Sequence, residues 1–207
     1  MKSSYITVKQ FASDEFVEKR SRFIGYCKPV KTQEEADAFI AEIRSKHWDA
    51  RHNVFAYVLS ENNIMRASDD GEPQGTAGVP VLDVIKKSEI IDVVVVVTRY
   101  FGGVLLGTGG LVRAYSHSAS IALKAAQPVT MTLCTECTLT CDYGRYGKLS
   151  ALVPSCGGVI DDTTFDTDAH IKFHIPSDAV GEFQKQLADA TCGDIEAEIG
   201  DEQFFEN

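Results

Sequence analysis

The stretch VVVVVTRYFGGVLLGTGGLVRAYS, residues 93–116, decides how the first part of this chain folds. Its valines complete the apolar run Ile90–Val97, which only Asp92 interrupts, and a continuous β-branched run predicts a strand covered on both faces. Five glycines follow within residues 102–110. A helix is predicted from about Gly109 to Ala126, ended by Pro128. The stretch therefore predicts a strand, a glycine-rich turn and a helix.

The glycine-rich turn is a candidate anion site. A helix N-terminus presents unpaired N–H groups and the positive end of a dipole, and Thr108 as N-cap with glycines beside it lets an anion approach closely. Arg99 and Arg113 would add bidentate donors. The chain contains neither G-x-x-x-x-G-K-[ST] nor G-x-G-x-x-G, so we expect no nucleotide cofactor of those kinds and no other cofactor. The candidate anion- or nucleic-acid-binding residues are Arg99, Gly102, Gly103, Gly107, Thr108, Gly109, Gly110, Arg113 and His52.

The same glycines also fit a purely structural interpretation. Gly110, Ala114, Ser118 and Ala122 form a stripe of small residues at i, i+4 spacing, which would let the helix lie close against the valine strand. Packing accounts for this stripe but not for Arg99, which ends an otherwise apolar strand. Both interpretations of the turn therefore stay open. His52, at a predicted strand start, is likewise either a base or phosphate ligand, or a structural histidine.

A second cluster, SDDGEPQGTAG at residues 68–78, combines acids with glycines. Three carboxylates within four residues can bind Mg²⁺ or act in acid/base chemistry, although an exposed turn has the same composition. The glycines that follow, ahead of Pro80, offer another helix start. If the two glycine-rich loops are adjacent, they define one polar cleft, to which this cluster contributes Asp69, Asp70, Glu72, Gly75 and Thr76.

The six cysteines are expected to be reduced thiols in a cytoplasmic protein. Cys134, Cys137 and Cys141 have C-x2-C-x3-C spacing, but the Thr-rich segment around them predicts a strand in which Cys134 and Cys137 point to opposite faces. We therefore expect no metal site. The longest apolar run is far shorter than the roughly 20 residues that a membrane span needs, so no membrane association is expected either.

Charge is divided unequally along the chain. The formal net charge is −10, yet residues 1–133 contain 16 Lys+Arg against 15 Asp+Glu, whereas residues 134–207 contain 4 against 15. Because neutralisation of phosphates by Lys and Arg drives nucleic-acid binding, any polyanion site belongs to the first part. Its candidate cations are Lys19, Arg20, Arg22, Arg51, Arg66, Arg99 and Arg113.

Hydrophobic periodicity predicts a mixed fold in both parts, and we place the domain boundary after residue 133. The first part has strand patterns at residues 5–11, 16–30, 53–60 and 63–68, with a helix opened by Thr32 and a short helix at about 79–87. The second part predicts a strand at 136–142, a helix at 146–155, strands at 159–165 and 170–175, a helix from Ser177 and a strand at 194–200. That β-α-β-β-α-β order is ferredoxin-like, so residues 134–207 are predicted to form an acidic ferredoxin-like domain.

Three long segments resemble a known family. ARHNVFAYVL (50–59), SDDGEPQGTAGVPVLDVI (68–85) and the stretch at 93–116 are similar, in order and spacing, to signature segments of the IMPACT family, including its bacterial YigZ branch. The resemblance covers about residues 1–127 strongly. It implies an α+β protein whose first domain, residues 1–133, is ribosomal protein S5 domain 2-like. It also implies that residues 134–207 are similar to domain V of elongation factor G.

The resemblance also implies a function. Eukaryotic members are regulators of translation that act by protein contact, so we expect a non-enzymatic, translation-associated protein that binds RNA, the ribosome or a translation factor through its first domain. The alternative is an enzyme that acts on a phosphorylated or carboxylated small molecule held by Arg99, Arg113 and the glycine loop. An acid or metal chemistry there would come from Asp69, Asp70 or Glu72.

Overall fold

The computed structural model describes residues 3–206 and separates the chain into two compact units. The first unit is Tyr5–Thr130, and the second is built on the residues from Met131 onward. The division lies inside a continuous strand, slightly before the predicted boundary after residue 133. The change in charge and Pro128 predict the boundary after residue 133. Neither feature reveals that a strand runs through the junction. The α+β class with two domains is confirmed.

The first unit contains most of the strands and three of the helices. Its central strand and its third helix are the elements predicted from residues 93–116. In chain order the elements are β1 (Ser4–Val8), β2 (Ala12–Glu18), β3 (Ser21–Pro29), α1 (Gln33–Lys46), β4 (His52–Val58), β5 (Met65–Ser68), α2 (Gly78–Lys87), β6 (Val93–Tyr100) and α3 (Thr108–Ala125).

The valine strand β6 is the centre of this unit. The sheet has the order β2-β3-β6-β4-β5, and each neighbouring pair is antiparallel. Val93, Val95 and Val97 pack in the core formed with α2 and α3, whereas Val94 and Val96 pack with α1. All five valines are fully buried, which confirms the prediction of a strand covered on both faces.

The predicted strand 16–30 is wrong, because the chain turns back within it. β2 and β3 form an antiparallel hairpin in which Glu18 pairs with Ser21. Lys19 and Arg20 form the turn with φ of 45° and 67°, as a two-residue hairpin of this kind requires. No local pattern predicts this turn, since such positions favour Asn and Gly over long basic residues. The turn places both cations in solvent.

The second unit has the predicted ferredoxin-like order. Its elements are β7 (Pro128–Cys141), α4 (Tyr143–Ser155), β8 (Val159–Phe165), β9 (Ala169–Pro176), α5 (Val180–Thr191) and β10 (Glu198–Glu206). The sheet has five strands: β7 pairs with β1, β9 and β10, and β9 pairs with β8. The β7–β10, β7–β9 and β8–β9 pairs are antiparallel. A core of Leu139, Ile171 and Phe173 lies against Leu149 of α4 and Phe183 of α5.

The last strand lies further along the chain than predicted. β10 begins at Glu198, and the alternating Ile195 and Ala197 precede it and pack against the core outside any strand. Alternation of apolar residues therefore predicted burial correctly but not strand pairing.

No helix in residues 3–206 is long and apolar enough to cross a membrane.

The cysteine-rich segment is part of β7, as predicted. Cys137 and Cys141 face the core of the second unit, and Cys134 is also buried. Burial raises the pKa of all three thiols. Cys27, in β3, is buried and has a raised pKa for the same reason.

Thiol labelling of the native protein should therefore be selective. The thiolate is the nucleophile, so buried thiols with raised pKa react slowly. We expect iodoacetamide to modify the exposed Cys192 first and the half-buried Cys156 more slowly. The buried thiols should react only after denaturation, as followed by intact mass. Fast native labelling that persists in a Cys192→Ser variant would contradict this assignment.

Candidate functional site

The loop between β5 and α2, residues 69–77, is here called the acidic loop, and its first residue is structural. The Asp69 carboxylate accepts hydrogen bonds from the backbone N–H groups of Gly75, Ala77 and Gly78 at 2.8, 3.0 and 2.8 Å. Burial opposes ionisation, but these three donors outweigh it and lower the pKa of Asp69. The start of α2, the second glycine-rich helix start, is therefore occupied by a carboxylate of the chain itself.

Asp70 is also committed to contacts within the unit. Its carboxylate accepts from the backbone N–H of Asn53 at 2.6 Å and from Arg44 Nη2 at 2.7 Å. Its backbone carbonyl lies 2.9 Å from Nδ1 of His52. Asp70 has φ of 43°, which is uncommon for a residue other than glycine and is held here by these contacts.

The contact with Asp70 selects one tautomer of the neutral His52 ring. A carbonyl oxygen only accepts hydrogen bonds, so His52 Nδ1 must carry a proton. In the neutral ring Nε2 then has a free lone pair, and this atom lies 4.0 Å from Oε1 of Glu72. His52 therefore presents a hydrogen-bond acceptor beside a buried carboxylate.

Glu72 and Arg99 form the centre of the site. Arg99 Nη1 donates to Glu72 Oε1 at 2.6 Å, and the two side chains are only 6% and 4% exposed. The hydroxyl of Tyr115 donates to the same oxygen at 2.8 Å. Burial and the charge of Glu72 raise the pKa of Tyr115 far above its usual range, so it stays a donor.

The Arg99 guanidinium is enclosed on its other sides. It lies over the rings of Phe23 and Phe101, at 5.4 and 5.5 Å from their centroids, and Nη2 contacts Ser21 Oγ at 3.4 Å. Within residues 3–206, Arg99 Nε has no hydrogen-bond partner. An arginine ends this apolar strand because it neutralises a buried glutamate, an explanation that neither sequence interpretation considered.

The loop between β6 and α3, residues 101–107, is here called the glycine loop. Its positions favour glycine for different reasons. A Cβ at Gly102 would overlap the carbonyl group of Arg20, so only glycine allows this close approach. Gly103 and Gly107 have φ of 82° and 73°, with open space around them. The loop is therefore first a tight corner against the β2–β3 turn.

The start of α3 differs from the prediction. The helix begins at Thr108, and its N-cap is Gly107, so the prediction of Thr108 as N-cap is wrong by one residue. No space restriction acts on Gly109, whereas a Cβ at Gly110 would lie 3.0 Å from that of Leu106. A glycine N-cap has no side chain to accept hydrogen bonds, so in the first turn of α3 the N-cap residue accepts only through its backbone carbonyl, from the Leu111 N–H at 2.9 Å.

The stripe of small residues lets α3 pack closely on the sheet, as predicted, but the close contact is with β3. Ala114, Ser118 and Ala122 are buried. A Cβ on Gly25 of β3 would lie 2.6 Å from the Ser118 carbonyl oxygen and 3.0 Å from the Ala122 Cβ. The close approach is therefore to β3 and not to the valine strand.

The acidic and glycine loops meet at a cavity of about 370 Å³, here called the interloop cavity. Buried Glu72 and Arg99 lie at its floor with half-buried His52, while Arg51, Gly107 and Thr108 line it from exposed positions. Its walls are apolar. They consist of Pro73, Phe101, Leu105, Leu106 and Leu111.

Arg113 does not reach this cavity. It lines a second depression of about 410 Å³, here called the basic groove. Its Nε donates to the Gly109 carbonyl oxygen at 3.2 Å, and the side chain is exposed. The pair Arg99 and Arg113, proposed from sequence to hold one anion, is thus divided between two places. The basic groove is lined by Phe16, Glu18, Lys19, Leu106, Gly110, Arg113, Ala114 and His117.

The remaining cleft residues have structural surroundings. Thr76 is buried, and its hydroxyl donates to the Pro73 carbonyl oxygen at 2.6 Å. Gly75 has φ of 76°, which suits glycine. Within the described residues no group of three or more His, Cys, Asp or Glu is arranged to hold a metal ion.

Sequence reasoning missed three contributors, namely Ser21, Phe101 and Tyr115. Tyr115 was detectable in principle, because a buried tyrosine needs a partner for its hydroxyl. Ser21 follows the unexpected turn of the β2–β3 hairpin, so no local pattern placed its hydroxyl near Arg99.

Replacement of Asp69 by Asn should destabilise the first unit. Asn cannot accept the three backbone N–H groups equally well, so we expect a loss of about 1 kcal/mol, typical of a lost cap. Because the folded-state pKa is lowered, the stabilisation is present above the ordinary range of an aspartate and is lost as pH falls through the folded value. Urea denaturation of wild type and Asp69→Asn should therefore converge in acid. Asp83→Asn, an exposed change on α2, is the matched control, and an equal loss in both variants would argue against capping.

Breaking the buried ion pair should cost more than removing it whole. Arg99→Met leaves Glu72 charged and buried, so we expect a loss of about 3–5 kcal/mol in the free energy of unfolding. The double variant Arg99→Met/Glu72→Met should be more stable than the sum of the single losses predicts. Arg22→Met, which breaks the half-exposed pair with Glu15 in the same sheet, should cost less than about 1 kcal/mol. Strict additivity of Arg99→Met and Glu72→Met would contradict the coupling.

Both units match models of known families. Residues 19–123 match the Impact N-terminal domain, and residues 139–194 match a domain of unknown function, DUF1949. A solved crystal structure, described as that of an hypothetical protein, is 34% identical, with a TM-score of 0.61 over 95% of this chain and 97% of the other.

Two named bacterial relatives match over most of their length, and a eukaryotic one matches over less than a third of its own. The IMPACT family member YvyE of Bacillus subtilis is 37% identical over 100% of this chain and 95% of its own. The IMPACT family member YigZ of Escherichia coli is 38% identical over 86% of this chain and 89% of its own. Protein IMPACT of Bos taurus is 32% identical over 44% of this chain and 30% of that protein. The region that matches the family model, residues 19–123, contains the segments that build the interloop cavity. The chain belongs to the IMPACT family.

Proposed function

We propose that this chain is a non-catalytic, translation-associated protein whose first unit binds RNA through the basic groove. The observation that carries the proposal is the placing of Lys19 and Arg113, both exposed, on one depression. Between them the Phe16 ring packs against His117, with ring centroids 4.6 Å apart. Exposed cations beside an aromatic ring are the combination by which proteins bind single-stranded nucleic acid.

Other cations of the first unit contribute unequally. Arg20 is exposed beside Lys19 in the hairpin turn. Arg22 is paired with Glu15, and Arg66 lies 3.5 Å from the Tyr57 hydroxyl. Arg99 is neutralised inside the unit by Glu72. RNA contacts are therefore assigned to Lys19, Arg20 and Arg113.

The charge of the whole chain is consistent with one binding unit. The acidic residues 134–207 repel phosphates, so they restrict a polyanion to the first unit and favour a defined orientation. The resemblance to eukaryotic IMPACT supports translation as the process. The enzyme alternative gains no support from the geometry, because Asp69 and Asp70 are held by backbone groups and Arg99 by Glu72.

The test is RNA binding by the full chain at different salt concentrations. We expect a labelled short single-stranded RNA to bind at low salt, with affinity that falls steeply between about 50 and 200 mM salt. Lys19→Gln/Arg113→Gln should weaken binding and reduce the slope of log K against log salt by about 1.4, since each phosphate contact contributes about 0.7. Fluorescence anisotropy measures both quantities.

Lys124→Gln is the matched control for this test. It removes one charge from an exposed position of the same helix, about 16 Å further along its axis at 1.5 Å per residue. Its affinity and slope should match wild type. Absence of RNA binding at low salt, or equal losses in Lys124→Gln and Arg113→Gln, would overturn the proposal.

A further inference from the structure

The interloop cavity is open and its walls are not sealed by the chain. Leu105 is 81% exposed and Phe101 is 45% exposed, although both line the same depression. Exposed apolar side chains around a concave site mark ligand-binding surfaces more often than isolated exposed residues do. A volume of about 370 Å³ is near the small end of ligand pockets, which span about 300–1,000 Å³. The cavity therefore suits one small ring system.

The floor of the cavity specifies a neutral group that donates hydrogen bonds. Arg99 and Glu72 neutralise each other, so the floor offers no net charge to a ligand. His52 Nδ1 is used by the Asp70 carbonyl, which leaves Nε2 of the neutral ring as an acceptor. A group that is largely apolar and carries an N–H or O–H donor therefore fits this floor. Heteroaromatic rings such as nucleobases have these properties, and aromatic side chains like Phe101 stack on them.

The rim of the interloop cavity is positive, so it suits an anionic part of the ligand. Arg51 is exposed there, and α3 begins at the rim with Gly107 as N-cap. A helix start attracts anions through its N–H groups and its dipole.

From this division of properties we infer that the interloop cavity binds a nucleotide, with the base on the floor and the phosphate at the rim. The base stacks on Phe101 and donates a hydrogen bond to His52 Nε2, while Arg51 and the start of α3 hold the phosphate. The inference does not depend on RNA binding in the basic groove. A free mononucleotide and an unstacked nucleotide of a single-stranded RNA share this chemistry, and the experiment separates them.

The first measurement locates and defines the ligand. The full chain, labelled with ¹⁵N, is titrated with each of the four ribonucleoside 5′-monophosphates, with the matching nucleosides and with inorganic phosphate. We expect at least one monophosphate to shift the amide signals of Gly103, Gly107 and Thr108 in a saturable way. Its nucleoside and inorganic phosphate should each bind at least tenfold more weakly, because each supplies half of the contacts.

Two variants separate the two halves of the site. Arg51→Gln should weaken the monophosphate about tenfold and leave its nucleoside unchanged. His52→Phe keeps a ring but removes the acceptor, so it should weaken monophosphate and nucleoside alike, by up to about tenfold. Lys124→Gln is the matched control, since it removes an exposed cation of the same unit that lines neither depression and should not change nucleotide affinity.

Competition with RNA distinguishes the source of the nucleotide. If an RNA base enters the cavity, a single-stranded oligonucleotide displaces the bound monophosphate and its abasic counterpart does not. If the ligand is a free nucleotide, neither oligonucleotide displaces it, and both results support the inference. It is overturned if no monophosphate shifts the glycine-loop amides, if inorganic phosphate binds as tightly as every nucleotide, or if Arg51→Gln has no larger effect than Lys124→Gln. RNA binding lost in Arg113→Gln would be judged separately, as a result about the basic groove.

Discussion

The buried ion pair between Arg99 and Glu72 connects the end of the central strand to the acidic loop. Removing two charges from water costs several kcal/mol each, and a well-packed apolar pair of similar volume would often be as stable. The pair is therefore better understood through the positions it fixes than through the stability it adds. Glu72 receives Tyr115 from α3 as well as Arg99, so one carboxylate oxygen holds a loop, a strand and a helix together. The shape of the interloop cavity depends on this junction.

This junction also determines how charge is distributed over the first unit. Glu72 neutralises the charge of Arg99, so the positive surface of the first unit comes from residues outside this ion pair. Lys19 and Arg20 reach solvent because a two-residue turn projects them, and Arg113 because it lies on the exposed side of α3. Two sites of different character follow within one unit. One has an electrically balanced floor with apolar walls, and the other has unbalanced cations.

The sequence predicted those parts of the fold that depend on local periodicity. The valines of β6 and the β-α-β-β-α-β order of the second unit follow from patterns of burial, and the structure confirms both. It failed at Lys19 and Arg20, whose positive φ is imposed by the pairing of β2 with β3 and not by their own preferences. The alternation at Ile195 and Ala197 also misled, because burial without pairing has the same pattern.

The candidate site was less predictable, because its chemistry depends on contacts between distant residues. Arg99 and Glu72 were both named as candidates, but sequence alone could not show that each is the other's partner. Asp69 and Asp70 were chosen as free acids for the same reason. The backbone donors to Asp69 come from its own loop and from the first residue of α2, and the donor to Asp70 comes from β4, a contact that no local pattern signals.

The two glycine-rich helix starts show how similar sequences acquire different uses. At α2 the carboxylate of Asp69 accepts three backbone N–H groups, so the positive end of that helix is neutralised by the chain. At α3 the N-cap is a glycine, which has no side-chain acceptor. The loop before it is shaped by the close approach of Gly102 to Arg20. The glycines that let the loop turn tightly thus also leave the helix start uncovered. The tight corner and the exposed helix start beside the cavity are therefore two consequences of the same glycine-rich loop.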